Sequence, residues 1–139
     1  MENLTHDDTR TERVTRKLER FEDLTVWQKA HELTLKVYRM SVHFPREERF
    51  GLISQMRRAA VSVPANIAEG FKKRGGRDKA KFCNISQGSL EELRYYLILS
   101  RDLGYTTDTS DIGGSLDEVG RMLHGLIASV LARTESRPS

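Results

Sequence analysis

The residues with the most chemistry to offer are cations set close together. Between positions 72 and 81 stand Lys72, Lys73, Arg74, Arg77, Lys79 and Lys81 against one acid, Asp78, a local charge of +5 in a chain whose formal net charge is +3. The remainder of the chain therefore carries −2, so the basic character is local. Such a cluster suits a polyanion: Lys and Arg contact phosphates without reading base sequence, and affinity falls as salt rises. Arg57 and Arg58 add two cations about four helical turns upstream. The plainer alternative is a charge run that only solvates a loop. Within one subunit the patch is small; repeated around an oligomer it becomes a ring of substantial potential.

Other chemistries find no support. The run Gly70-Phe71-Lys72-Lys73-Arg74-Gly75-Gly76-Arg77 brushes against the phosphate-loop pattern but lacks its Lys-Ser/Thr ending and follows a helix, not a strand. A di-iron bundle needs Glu-x-x-His on two helices, and no glutamate here has a histidine three residues on. The four histidines (6, 31, 43 and 124) are scattered. Cys83 reads as a semi-buried small residue, although its place near a helix start offers some thiolate stabilisation. No catalytic residue, metal site or cofactor is expected, and the chain reads as a non-enzyme.

The stretch leading into the cations is Arg57-Arg58-Ala59-Ala60-Val61-Ser62-Val63-Pro64-Ala65-Asn66-Ile67-Ala68-Glu69-Gly70. It reads as a helix interrupted by Pro64, whose missing N–H strands the carbonyl of Ala60 and whose ring crowds it. An interior proline costs roughly 3 kcal/mol or more. A kink is the expected response, with Ser62 competing for the freed backbone group. Just beyond it, Asn66 and Glu69 need partners if buried. Glu91, Glu92, Arg94, Arg57 and Arg58 are the candidates. A structural role for Pro64, Asn66 and Glu69 is expected, with a shaped interface as the alternative.

Four apolar seams position these groups. Val26, Ala30, Leu33, Val37, Met40 and Phe44 recur at spacings of 4, 3, 4, 3 and 4, which defines a helix over about 25–43, with Thr25 as N-cap and Pro45 as stop. Trp27 and Tyr38 widen that seam. A second helix spans about 47–73, with Ile53, Met56, Ala60, Val63, Ile67 and Phe71 or Gly70 inward. A third runs from N-cap Asp78 to Leu103, with Gly104 as its stop. Its stripes are Phe82, Ile85, Ser89, Leu93, Tyr96, Ser100 and Leu103, and Leu90, Leu97 and Ile98. Ile112, Leu116, Val119, Leu123, Leu126 and Val130 carry a fourth, to about Ala132. Seams near period 3.5 with short connections predict an all-α, antiparallel up-down-up-down four-helix bundle with a kinked second helix. The third helix is apolar nearly all round at Tyr95-Tyr96-Leu97-Ile98-Leu99, which suggests burial against another subunit, with cover by the N-terminal arm or Trp27 as the alternative.

The chain has 139 residues, enough for one domain with a real core. Residues 1–20 hold five acids and five bases and read as a mobile charged arm; 21–132 form the bundle and 133–139 a frayed tail. The single cysteine permits no internal disulfide and fits a reducing compartment. No apolar run approaches transmembrane length. A cytoplasmic location without membrane association is expected.

Three blocks in order carry a family resemblance: Phe21-Glu22-Asp23-Leu24-Thr25-Val26-Trp27-Gln28-Lys29-Ala30, then 57–70 as quoted above, then Ser89-Leu90-Glu91-Glu92-Leu93-Arg94-Tyr95-Tyr96-Leu97. Together they resemble the four-helix-bundle proteins encoded in intervening sequences of bacterial 23S ribosomal RNA genes, over about residues 20–131. The resemblance implies a ring-like homopentamer. It also implies kinship with the accessory variability protein of diversity-generating retroelements, which binds nucleic acid and a reverse transcriptase. The charged arm before Phe21 departs from a minimal member. Two functions follow as expectations. The first is a non-enzymatic, oligomeric protein that binds the RNA or DNA backbone. The second is an assembly scaffold or accessory subunit for a reverse transcriptase.

Overall fold

Each of the four seams becomes one helix. The structure, a computed structural model, describes residues 18–136. The helices are α1 (Thr25–Ser41), α2 (Leu52–Lys72), α3 (Gly76–Asp102) and α4 (Ser110–Ser136), with short 3-10 turns at Phe21–Asp23 and Arg46–Glu48. No strand occurs among the described residues. The expected arm over 1–20 lies, but for its last three residues, outside the described residues, as do 137–139.

Each helix packs on the next, and α4 closes back onto α1. Contacts across every seam rise along one helix as they fall along its neighbour. Thr34 and Ser41 of α1 bond Ala60 and Arg57 of α2. Gly70 and Val63 of α2 face Phe82 and Ser86 of α3. Gly76 and Arg94 of α3 meet Thr134 and Asp117 of α4, and Lys29 and Lys36 of α1 meet Glu118 and Asp111 of α4. Between them lies one core that includes Leu33, Val37, Met56, Val63, Ile67, Leu93, Leu116 and Leu123, all essentially fully buried.

Several boundaries differ from the periodicity. Leu24, not Thr25, is the N-cap of α1, and no side chain caps it. Helix α2 starts at Leu52 rather than 47, because Pro45 opens a separate 3-10 turn and Gly51 (φ −108°, ψ −110°) breaks the path between them. Helix α3 starts two residues before Asp78: extended Gly75 supplies the cap conformation, and Asp78 becomes an acid of the first turn. Gly104, at φ +78°, ends α3 where expected. Helix α4 continues past Ala132 to Ser136.

The buried stripe of α3 also differs. It consists of Ala80, Cys83, Ser86, Leu90, Leu93, Leu97 and Ser100, while Phe82, Ser89 and Tyr96 flank it and Ile85 and Leu103 are exposed. Leu90, Leu93, Leu97 and Ser100 lie inward as expected, but Ile98 is exposed, and small residues (Ala80, Cys83, Ser86) fill the inward positions of the first turns, where a count of large apolar residues selects Phe82 and Ile85 instead.

Pro64 is buried within α2, which is helical on both sides of it. The stranded Ala60 carbonyl is met from α1 rather than by Ser62. Thr34 Oγ1 lies 3.0 Å from both the Ala60 and the Ala30 carbonyls. Its single proton is needed at Ala60, since the Ala30 carbonyl already receives the helical N–H of Thr34. Leaving that carbonyl unpaired in the core would cost about 1–3 kcal/mol. Ser62 instead serves a polar seam: Asn66 Nδ2 donates to its carbonyl (2.8 Å) and its hydroxyl (3.0 Å), and Ser89 Oγ donates to the same hydroxyl at 2.8 Å.

Candidate nucleic-acid interface

Helix α2 ends at Lys72, and only Lys73, Arg74 and Gly75 separate it from α3. So short a turn places all six cations of 72–81 at one end of the bundle. They fall into two groups. Lys73 and Lys79 are half-buried and hold the turn. The Lys73 ammonium sits 5.0 Å from the Phe82 ring centre. Lys79 Nζ donates to the Phe71 carbonyl at 2.8 Å, which satisfies one of the last carbonyls of α2, and lies 5.5 Å from the Phe71 ring centre. Lys72, Arg74, Arg77 and Lys81 are exposed. Among the described residues none of the six forms an ion pair with a carboxylate.

The fold adds a seventh cation that sequence order hides. The last turns of α4 return to the start of α3, and Arg133 joins Arg74 and Lys79 around a small cavity of about 140 Å³. Gly76 and Thr134 line it too. Gly76 makes this approach possible, because a Cβ there would overlap Thr134 Oγ1. Periodicity places Arg133 in the tail, whereas it lies within α4. The signal that finds it is topological: the end of a fourth helix must lie beside the start of the third.

The other expected site residues lie elsewhere. Arg57 and Arg58 are about 20 Å along α2 from the loop, at 1.5 Å rise per residue. Arg57 is held in place: its Nε donates to Ser41 Oγ at 2.9 Å, an NH₂ group donates to the Tyr38 carbonyl at 3.4 Å, and its guanidinium lies 4.6 Å from the Tyr38 ring centre. Arg58 is exposed. Asn66 pairs with Ser62, not with the expected Glu91, Glu92, Arg94, Arg57 or Arg58. Glu69 is exposed and needs no partner.

Near Arg57 the connection 42–51 carries Phe50, whose exposure of 88% is the largest of any large apolar residue described. Nothing in its sequence context marks it. The connection is pinned by Glu48, which accepts from the Leu52 N–H at 3.2 Å and from the Tyr105 hydroxyl at 2.9 Å. Donation to that carboxylate, with desolvation second, raises the Tyr105 phenol above its ordinary value.

Burial pushes the Cys83 thiol up, only partly offset by Lys79, so it stays protonated rather than becoming a nucleophile. No cluster of three or more His, Cys, Asp or Glu suited to a metal occurs among the described residues. None of the described helices is long and apolar enough to cross a membrane.

The architecture is that of a small all-α bundle protein with a cationic end. The chain belongs to the 23S rRNA-intervening sequence protein family, whose model it matches over residues 22–125. In three dimensions it is similar to the crystal structure of a protein of unknown function from the S23 ribosomal protein family of Bacteroides thetaiotaomicron. The TM-score is 0.67 at 24% identity, covering 74% of this chain and 98% of that one. No curated protein matches the chain.

Proposed function

We propose that this protein is a non-enzymatic, oligomeric binder of the nucleic-acid backbone, with the α2–α3 end as its contact surface. The observation that carries this reading is the cluster of six cations at 72–81, none of which pairs with a carboxylate among the described residues. Three cations elsewhere do pair with carboxylates, Lys29 with Glu118 at 3.4 Å, Lys36 with Asp111 at 3.0 Å and Arg94 with Asp117 at 2.9 Å; what sets 72–81 apart is the density of six cations within ten positions. Lys72, Arg74, Arg77 and Lys81 take the phosphate contacts, and Lys73 and Lys79 shape the turn that presents them. Arg57 and Arg58 belong to a separate surface.

Assembly into a homo-oligomer, a pentameric ring by family resemblance, brings several such ends together. It is favoured by apolar residues on the outer surface of α3, where Tyr95 is 57% and Ile98 48% exposed. Fluorescence anisotropy of labelled RNA and DNA tests the first claim. Wild type should bind at low salt, and glutamine at Lys72, Arg74, Arg77 and Lys81 should weaken binding at least about tenfold. Absence of binding at low salt, or indifference to the four glutamines, defeats it. Mass photometry should find about five chain masses, and a clean monomer defeats the ring. Capture of a reverse transcriptase without any nucleic-acid affinity would favour the scaffold alternative.

A further inference from the structure

At the opposite end of α2 lies a groove of about 650 Å³, within the usual size range of ligand sites, about 300–1,000 Å³. Its lining includes Tyr38, Arg49, Phe50, Arg57, Arg58 and Val61, and contains no carboxylate. Three guanidiniums and two aromatic rings therefore share one open surface. Two of the guanidiniums already lie against rings: Arg49 is 5.4 Å from the Phe50 ring centre and Arg57 is 4.6 Å from that of Tyr38.

Phe50 buries almost none of its surface where it stands. Its ring is almost wholly in water, yet the backbone that carries it is fixed. Gly51 N–H donates to the Glu48 carbonyl at 3.1 Å, and the Glu48 carboxylate is held by Leu52 and Tyr105. A solvated ring on a pinned backbone beside arginines suits a flat, anionic occupant. A purely apolar partner would have to desolvate three cations without compensating them. A single-stranded nucleic acid offers both complements: base faces to stack on the ring and phosphates for the guanidiniums. A duplex offers the phosphates but keeps its base faces stacked inside.

We infer that the Phe50 groove is a stacking site for an unpaired nucleobase, with Arg49 and Arg58 on the flanking phosphates, and that it gives this protein a preference for single strands. The inference extends the nucleic-acid reading to a second surface and rests on the same class of ligand.

The test uses the full chain and two labelled probes: oligouridylate of about 15 nucleotides, near the upper single-strand site size, and an RNA duplex of equal length. Phe50→Ala should weaken the single strand about tenfold and leave the duplex within about twofold, while Phe50→Trp should retain single-strand binding. Because Phe50 is exposed, its truncation should not unfold the protein, which circular dichroism checks. A 4-thiouridine probe should crosslink to the peptide containing Phe50. Unchanged or equal losses on the two probes overturn the inference. So does an oligomer that dissociates while nucleic-acid binding stays intact, since the groove is then a protein contact. If only the four-glutamine loop variant loses binding, the backbone reading stands and the groove falls. If only Phe50→Ala does, the reverse holds. If wild type binds neither probe, both fall.

Discussion

The two ends of α2 turn the chain in opposite styles. At one end three residues, Lys73, Arg74 and Gly75, connect α2 to α3, and the surface is almost purely cationic. At the other end ten residues, 42–51, connect α1 to α2 with a proline, a 3-10 turn, a pinning glutamate and a solvated phenylalanine. The short turn leaves no room for ornament, so it concentrates charge. The long one has length to present a ring and fix its position. One end is suited to phosphates alone; the other mixes arginines with rings. Between them α2 is helical on both sides of Pro64, so one helix joins the two surfaces.

The largest expected effect separates the ends by charge. Glutamine at Lys72, Arg74, Arg77 and Lys81 should weaken single-strand and duplex binding alike by at least about tenfold, because phosphates are common to both. A loss confined to single strands would erase the distinction.

Next comes the middle of α2, where stability should change without any change in binding. Thr34→Val should destabilise by about 1–3 kcal/mol, because the buried Ala60 carbonyl then has no donor. In a Pro64→Ala background the same substitution should cost less, since residue 64 regains its N–H. Denaturant titrations of the four proteins in that cycle check the coupling, and strict additivity would remove Thr34 from its role.

A smaller effect is expected at the cationic end. Gly76→Ala should destabilise by about 1 kcal/mol, since its Cβ collides with Thr134 while helix propensity gains partly offset the clash. Adding Thr134→Ala should recover part of the loss. Thermal melts of the single and double variants decide.

The smallest effect concerns the aromatic end. The Tyr105 phenol is raised in the folded state, so its link to Glu48 favours folding below the unfolded value near 10 and is lost as pH rises through the higher folded value. Tyr105→Phe should therefore flatten the alkaline decline of stability, and it should loosen the presentation of Phe50 more than it alters the cationic end. Tyr96, which donates to Glu92 at 2.7 Å, is raised for the same first cause. Absorbance titration should find both phenols ionising late.

The sequence makes α1 and α4 legible because apolar residues recur at unbroken spacings of 4 and 3 along their inward faces, even though Thr34 and Ser41 of α1 are buried beside them. It misleads on α3, where Ala80, Cys83 and Ser86 face inward and larger residues such as Ile85 face out. Period alone cannot distinguish a core of small residues from a polar face. The six cations are legible as a cluster, but their division into turn-holding and free groups depends on the rings of Phe71 and Phe82. Arg133 enters only once α4 folds back to α3. The exposure of Phe50 has no local signature at all, because a phenylalanine beside arginines reads equally well as core.

Binding of the nucleic-acid backbone by the clustered cations at the α2–α3 end is the property on which the proposed function depends. The most direct measurement is the slope of log affinity against log salt for wild type and the four-glutamine variant on one RNA duplex. Wild type should show a steep negative slope, flattened in the variant by about three for each engaged subunit, from roughly 0.7–0.9 per lost phosphate contact. Equal slopes for the two proteins would contradict it.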